Sequence, residues 1–312
     1  MIQYFNTVND KVTEVFAAEK GCWINVIAPS VEDLRTLSTE FDVPPVFLKS
    51  ALDEEETSHI DNEDDMNLII IDMPANEDTP NGVLYYTMPV SIIITTKYII
   101  TITTKDNDII TRFASGNVKG VKTDHRTRFV FQILLSVAAR YLSDLKQIDK
   151  TSTTLEKNLR KSMRNKELVG MLDLQKSLVY FQTSLKSNEL TLQKISTNRY
   201  IRLYDDDKEL LEDVMIEIKQ AIEMSGIYAS ILGNTLESCA SIISNNLNVV
   251  MKILTSLTIL MAIPTMIFSF YGMNLGEAAG GLPLAQNVWM PIFISLIVTG
   301  LCGWVLKRKG ML

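Results

Sequence analysis

The chain has 312 residues and a formal net charge of −7. This length allows one large soluble domain and a membrane module, and the negative charge argues against a general affinity for nucleic acid. The cysteines Cys22, Cys239 and Cys302 are far apart and form no pair motif, so we interpret them as small hydrophobic residues in a reducing compartment.

Residues 1–122 are predicted to form an α/β domain. Trp23–Ile27 is a candidate strand, and Ser30 is a candidate cap for the helix that follows it. Asn67–Met73 is a continuous apolar run of strand length. The sequence therefore alternates between strand and helix signals in this part of the chain.

A hairpin is predicted near the end of this domain. Tyr85–Thr95 and Tyr98–Thr103 alternate in polarity and are rich in Ile and Thr, which is typical of strands. Pro89 cannot donate a backbone hydrogen bond, so we expect its part of the first strand to lie at an edge or in a bulge.

From Thr123 onward the sequence predicts helices. Thr123 or Asp124 is a candidate cap, and a second helix is expected at about Lys166–Ser196. The simplest interpretation of the remainder is one helix from about Asp207 to Phe270, ~95 Å long. Its apolar stripe needs partner helices, either from its own hairpin or from other copies of the chain.

Two uncharged apolar runs stand near the end of the sequence. Ile253–Phe270 forms the last part of the predicted long helix, and Val288–Leu306 comes after it. Each can cross a hydrocarbon core of ~30 Å as a helix, and the alternative is a buried hairpin of a soluble protein. We predict three domains: 1–122, the helical region 123–250, and the membrane module 251–312. The module comprises a first span at 251–270, an outer loop at 271–287, a second span at 288–306 and a basic tail at 307–312.

The distribution of basic residues predicts the orientation in the membrane. Lys252 precedes the first apolar run, and Lys307, Arg308 and Lys309 follow the second, whereas the loop Leu275–Asn287 has no Lys or Arg. The positive-inside rule then places both termini in the cytoplasm and the loop outside the cell. The expected location is the plasma membrane, as a multi-pass protein.

A short motif, Tyr271-Gly272-Met273-Asn274, stands directly after the first apolar run. With this position between two C-terminal spans, the sequence resembles the CorA family of divalent-cation channels. A looser similarity covers the N-terminal part, where Trp23-Ile24-Asn25 is followed by a proline and an acidic stretch. The resemblance implies a funnel-shaped homopentamer, in which a long stalk helix continues into the first span.

One chain with two spans cannot enclose a water-filled path, so a channel requires a ring of copies with the long helix along its axis. Small or polar residues recur on this helix at steps of three and four, as expected for a face on that axis. They are Asn248, Met251, Thr255, Thr258, Ala262, Thr265 and Ser269. The alternative role for these hydroxyl side chains is to hold neighbouring helices together.

The resemblance also assigns roles along this path. It implies an outer ring of amide oxygens at Asn274, an inner polar ring at Asn248, a narrow apolar stretch at Met251 and Leu254, and a polar ring at Thr265. Ala262 stands where family members often have a bulkier residue. The outer loop supplies one carboxylate, Glu277, which weakens the expectation of a strong cation-attracting ring there.

The chemistry of Mg²⁺ agrees with these assignments. Mg²⁺ dehydrates reluctantly, so neutral amide oxygens at Asn274 can accept hydrogen bonds from its water shell without removing it. Gly272 lets the backbone turn close to the axis, and Met273 is expected to pack and hold the loop. No phosphate-binding loop is present in the sequence, so transport is expected to be passive.

Acidic residues cluster in the soluble part, and each is either a solvated surface group or part of a cytoplasmic cation sensor. In CorA proteins such a sensor pairs a carboxylate of the N-terminal domain with one on the long helix. The matching helix residues are Glu237 and Asp213. Ser50 stands at the N-terminal acidic position, so the resemblance leaves Asp53 or Glu54 as candidates for that role.

The leading hypothesis is a channel for Mg²⁺ influx that intracellular Mg²⁺ closes. A family relative that transports Zn²⁺, Co²⁺ or Ni²⁺ is the alternative, although Met273 argues against zinc export because zinc-exporting relatives often have Val there. A membrane-anchored sensor that conducts nothing is the third hypothesis. An enzyme is not indicated, since no nucleophile–base pair or metal triad is apparent.

Overall fold

The computed structural model describes residues 1–9, 11–63, 65–80, 82–162, 165–201, 203–272 and 289–311. The chain divides into two compact units, Met1–Leu236 and Glu237–Leu312. The predicted three-domain division at 122 and 250 stays a prediction.

The described residues form strands and helices in a mixed order, followed by helices alone. In chain order they are β1 (Ile2–Val8), β2 (Lys11–Val15), β3 (Trp23–Ile27), α1 (Val31–Glu40), α2 (Pro45–Leu52), β4 (His59–Glu63), β5 (Met66–Thr79), β6 (Gly82–Ile94), β7 (Ile99–Thr103), α3 (Asp108–Ala114), α4 (Arg126–Ser162), α5 (Asn165–Ser196), α6 (Asp205–Tyr271) and α7 (Trp289–Arg308).

The strands of the first unit form one sheet in the order β2-β1-β3-β7-β6-β5-β4. Among the strand pairs of the described residues, β3–β7 alone is parallel. The predicted strand at Trp23–Ile27 and the predicted hairpin are confirmed, since β6 and β7 pair antiparallel with Ile94 opposite Ile99.

Helices cover both faces of this sheet. On one face Ile24 and Val26 of β3 belong to a buried apolar cluster that includes Leu37 of α1 and Phe47 of α2. On the other face the Trp23 ring lies 5.2 Å from that of Phe129 in α4. Because side chains alternate along a strand, β3 contributes to the core on both sides, as its near-total burial requires.

The cap predicted at Ser30 is confirmed. The backbone N–H of Asp33 donates to Ser30 Oγ at 3.2 Å, and the Ser30 N–H donates to Asp33 Oδ2 at 2.9 Å, which completes a capping box. This backbone bond and the nearby amino group of Met1 hold the pKa of the Asp33 carboxyl below its usual value.

Pro89 lies at a local edge, as predicted. It stands opposite Asp72 of β5, but β6 pairs with β7 only from Ser91 to Ile94. On the side away from β6, the backbone of Asp72 is bound by a helix side chain. The Asn188 amide of α5 donates to the Asp72 carbonyl at 2.9 Å and accepts from the Asp72 N–H at 3.0 Å.

Asn188→Ala is therefore expected to lower the free energy of unfolding by about 1–3 kcal/mol. Asn188 is buried, and its loss removes one hydrogen bond from each of two buried backbone groups, at ~0.5–1.5 kcal/mol each. Both groups keep a second partner, since the Asp72 N–H also donates to Ser58 Oγ at 3.1 Å and the Asp72 carbonyl also accepts from the Tyr141 hydroxyl at 2.9 Å. Urea unfolding of the detergent-solubilised chain, followed by circular dichroism, measures the change. The exposed Asn117 provides the matched control, Asn117→Ala, for which we expect less than ~0.5 kcal/mol. Equal effects of both substitutions would contradict this role of Asn188.

The helical predictions are confirmed, with one correction. The second helix is α5, and the long helix is the single 67-residue α6, about 100 Å of helix at 1.5 Å per residue. However, α4 begins at Arg126, and Thr123 does not cap it. The Thr123 hydroxyl instead donates to Asn6 Oδ1 at 3.2 Å and accepts from the Thr7 N–H at 3.2 Å, which fastens the start of α4 to β1.

Candidate functional site

The second unit contains α7 and the C-terminal part of α6, and both helices are long and apolar enough to cross a membrane. Most of their large apolar side chains, such as Leu257 and Phe293, are exposed in a single copy. Helices that expose apolar side chains nearly all round are stable in lipid but not in water. The unit therefore has the composition and the exposure of a membrane module.

One face of α6 packs against α7. A Cβ added at Gly303 of α7 would lie 3.6 Å from the Leu260 side chain of α6, so Leu260 packs against α7 at this glycine. At the end of α7, Ser256 Oγ donates to the Met311 carbonyl at 2.9 Å, and Ser256 is fully buried. Ser256 and Leu260 are one turn apart and mark the covered face of α6.

The predicted polar row lies on the opposite side of α6. At 100° per residue, its mean direction is roughly 150° away from the face that packs on α7. Every member of the row and the neighbouring Leu254 are exposed in the single copy: Asn248, Met251, Leu254, Thr255, Thr258, Ala262, Thr265 and Ser269. The fold of one copy therefore leaves this face available to other molecules.

Four members of the row line one open groove of about 580 Å³, namely Thr258, Ala262, Thr265 and Ser269, together with Met261 and Met266. The hydroxyls of Thr258 and Thr265 donate to the carbonyls of Leu254 and Met261, at 2.9 and 3.0 Å. Since these bonds use the hydroxyl hydrogens, the oxygens keep lone pairs that can accept hydrogen bonds from water. A surface of this kind suits the water shell of a cation.

The α6 helix ends at the predicted filter motif. The Gly272 N–H donates to the Phe268 carbonyl at 2.9 Å, and a Cβ at Gly272 would lie 3.2 Å from the same oxygen. A larger residue would crowd this turn, which agrees with the expected need for glycine. The half-buried Tyr271 packs edge-on against Phe270. Met273 and Asn274 lie outside the described residues, so their predicted roles stay predictions.

The candidate sensor carboxylates lie in both units, with Asp53, Glu54 and Asp213 in the first and Glu237 in the second. Asp213 and Glu237 are exposed and lie 24 residues apart on α6, ~36 Å of helix rise. Asp53 and Glu54 are exposed directly after α2. Among the described residues, no three His, Cys, Asp or Glu side chains are grouped closely enough to hold a metal ion. The sensor role of these carboxylates stays a prediction.

Glu54 already has a cationic partner. Its Oε2 lies 3.2 Å from Lys105 Nζ, and this hydrogen bond raises the pKa of Lys105 above its usual value. In contrast, the Asp53 carboxylate accepts a hydrogen bond from the Glu55 N–H at 2.9 Å and carries no ion pair among the described residues. Of the two candidates, Asp53 is the carboxylate more open to a divalent ion.

Comparison with known proteins identifies the family. The model of the CorA-like Mg²⁺ transporter proteins matches residues 18–308, nearly the whole chain. The chain belongs to the CorA family. A curated relative, the cobalt/magnesium transport protein CorA of Methanocaldococcus jannaschii, is 27% identical over 316 residues, covering 97% of this chain and 95% of the relative.

Solved structures share the fold of this chain. The complete CorA magnesium transporter of M. jannaschii matches with a TM-score of 0.78 at 23% identity, over 99% of this chain and 96% of that one. The cytoplasmic domain of ZntB from Vibrio parahaemolyticus matches with a TM-score of 0.60 at 13% identity, over 78% of this chain and 98% of that one. The predicted α/β domain, long helix and second apolar helix are thus confirmed.

Sequence reasoning missed one contact of the CorA membrane module. Ser256 stands among the hydroxyl residues of α6 but lies off the predicted row, and it binds Met311 instead. Its position in the sequence offers a signal. Ser256 directly follows Thr255, so it falls outside the steps of three and four residues that connect Thr255 and Thr258 along the row. Only the position of α7 shows what that hydroxyl contacts.

Proposed function

We propose that this protein is a channel for Mg²⁺, formed by a ring of copies around an axis lined by α6. The observation that carries the proposal is the uncovered polar face of α6. It runs along an apolar helix on the side away from α7, and it leads directly to Gly272. A ring that turns these faces inward gives hydrated ions a path on which polar side chains recur, and it leaves α7 toward lipid. By similarity to CorA, the ring has five copies.

We assign ion selection to the end of this path, at Asn274. Five Asn274 side chains would present neutral amide oxygens to the water shell of the ion, which Mg²⁺ gives up reluctantly. Lower down, hydroxyl oxygens at Thr265 and Thr258 accept from the same waters. Met251 and Leu254 form the apolar constriction, and Asn248 forms the inner polar ring. Neutral ligands keep binding weak enough for release.

The driving force is the membrane potential. With the interior negative, a divalent ion gains ~4.6 kcal/mol at 100 mV, twice the ~2.3 kcal/mol per unit charge. The chain lies in the plasma membrane with both termini in the cytoplasm. The positive-inside rule assigns the ends of the spans that carry the basic residues to the cytoplasmic side. Transport therefore needs no nucleotide.

Passive conduction predicts how far Mg²⁺ accumulates in liposomes that hold the purified protein. The equilibrium ratio of internal to external free Mg²⁺ is expected to reach on the order of 10³ at 100 mV, since each 1.4 kcal/mol is tenfold. A potassium diffusion potential sets the voltage, and a fluorescent indicator reports Mg²⁺. Liposomes without protein are the control. Accumulation that does not change with voltage would exclude this mechanism.

Intracellular Mg²⁺ is proposed to close the ring. Carboxylates at the contacts between copies repel one another, and bound ions remove that repulsion and favour the closed state. The helix contributes Glu237 and Asp213, and the N-terminal domain contributes Asp53 rather than Glu54, which Lys105 already binds.

Glu237→Gln combined with Asp213→Asn is expected to raise the internal Mg²⁺ concentration that halves uptake by at least about fivefold, the lower range of allosteric coupling. Uptake into liposomes preloaded with graded Mg²⁺ measures this concentration. The matched control, Glu209→Gln with Glu223→Gln, removes two exposed carboxylates from the same helix. If the control pair shifts inhibition as much as the test pair, the sensor assignment is wrong.

A channel that also carries Co²⁺ is the second candidate. The M. jannaschii relative, which is named a cobalt/magnesium transport protein, favours it. Ni²⁺ and Zn²⁺ are further ions of the same class. Competition of each metal with Mg²⁺ uptake separates these possibilities. A sensor that conducts nothing would show no uptake of any of them, and it would leave the polar row without a role.

A further inference from the structure

The described residues of the second unit carry mostly positive charge. Among its described residues the charged side chains are Glu237, Lys252, Lys307, Arg308 and Lys309. Glu237 precedes Lys252 by 15 residues, ~22 Å of helix rise. None of the four cations forms an ion pair with a carboxylate among the described residues. The positive charge is therefore left for an external anion.

The fold brings these cations to one end of the two helices. The α7 helix ends in a turn at Gly310, whose φ is +66°. There the Gly310 N–H donates to the Lys307 carbonyl at 3.2 Å, and the Met311 N–H donates to the Leu306 carbonyl at 3.1 Å. These two bonds form a Schellman motif, which turns the chain after Lys309 back toward α6.

The turned chain is held on α6 by Ser256, through its bond to the Met311 carbonyl. Lys252 precedes Ser256 by four residues and so lies on the same face of α6, one turn away. Lys252 and the cations of the tail therefore lie at the same end of the unit, where α7 ends.

Arg308 is oriented by an aromatic ring. Its guanidinium carbon lies 4.4 Å from the centre of the Trp304 ring, and Trp304 is 56% exposed. Stacking fixes the plane of the guanidinium while its edge keeps N–H donors for a phosphate. Tryptophan prefers the boundary between lipid and water, so this pair stands where lipid headgroups lie.

Apolar side chains continue from Trp304 along the exposed surface of α7, at Leu301, Ile297 and Val298. They offer an acyl chain a surface directly beside the cations. We propose that this end of the unit forms a binding site for an anionic phospholipid. The site consists of Trp304, Lys307, Arg308 and Lys309 of α7 and its tail, with Lys252 on α6. Arg308 and the lysines bind the phosphate, and the apolar side of α7 contacts the chains. This inference does not depend on ion conduction.

The test is a titration of phosphatidylglycerol into the full-length protein in neutral detergent, with native mass spectrometry to count bound lipid. The test variant is K307Q/R308Q/K309Q. At roughly fivefold per surface cation, we expect it to lower the affinity by on the order of 100-fold. The control K20Q/K49Q/K119Q removes three exposed lysines from the first unit and is expected to bind like the wild type. W304L keeps every charge and is expected to weaken binding several-fold, whereas W304F retains it.

Two further binding measurements distinguish the anionic lipid from other sources of phosphate. Phosphatidylcholine at equal concentration should bind much less, and inorganic phosphate should not displace phosphatidylglycerol. The proposal is overturned if phosphatidylcholine binds equally, if inorganic phosphate competes at the lipid's own concentration, or if both triple variants lose the same affinity. Because the readout is bound lipid and not uptake, a failure here leaves the proposed channel function to its own tests.

Discussion

Ala262→Phe is expected to reduce Mg²⁺ uptake to the level of liposomes without protein. Ala262 lies in the middle of the exposed row of α6 and lines its groove with Thr258 and Thr265. In a ring of copies, the substitution would place several phenyl rings at one level of the axis. An apolar constriction excludes water and with it a hydrated ion, so the block should be nearly complete.

The control is a change of the same kind on the side of the unit that faces lipid. Gly300 of α7 is exposed, and a Cβ built there meets nothing within 4 Å. Gly300→Phe also adds a phenyl group to an apolar helix, and we expect it to leave uptake close to that of the wild type. A block by Gly300→Phe, or normal uptake by Ala262→Phe, would contradict the assignment of α6 to the axis.

The predictions from sequence were most accurate where periodicity or a cap gave a strong signal. The long helix has no proline before Pro264, and it forms α6 as one element. Ser30 followed by Asp33 predicts a cap that forms as expected. In both cases local preference and the packed fold agree, so the sequence pattern is sufficient.

Elements that exist because of their neighbours could not be predicted. β4 has the sequence His-Ile-Asp-Asn-Glu, in which one residue is strongly apolar. It forms a strand because it pairs antiparallel with the edge of β5, with His59 opposite Ile70. Similarly, the role of Thr123 depends on β1, more than 110 residues earlier in the chain. No local pattern contains that information.

The candidate site divides in the same way. The steps of three and four along α6 predicted which residues share a face, because helix geometry fixes this. That this face lies away from α7 depends on Gly303 and Ser256, which no periodicity reveals. The sensor carboxylates are harder still, since the copies that would bring them together are not encoded in any local pattern.

The most direct test of the channel is Mg²⁺ uptake by Asn274→Ala in liposomes, under an inside-negative potential. The substitution removes the amide oxygens that the account assigns to the water shell of the ion, while Gly272 and α6 remain. The matched control is Asn245→Ala, an exposed asparagine on α6 that lies roughly 110° away from the row. We expect uptake to be lost in Asn274→Ala and retained in Asn245→Ala, with both variants as oligomeric and heat-stable as the wild type. Wild-type uptake by Asn274→Ala would contradict this expectation.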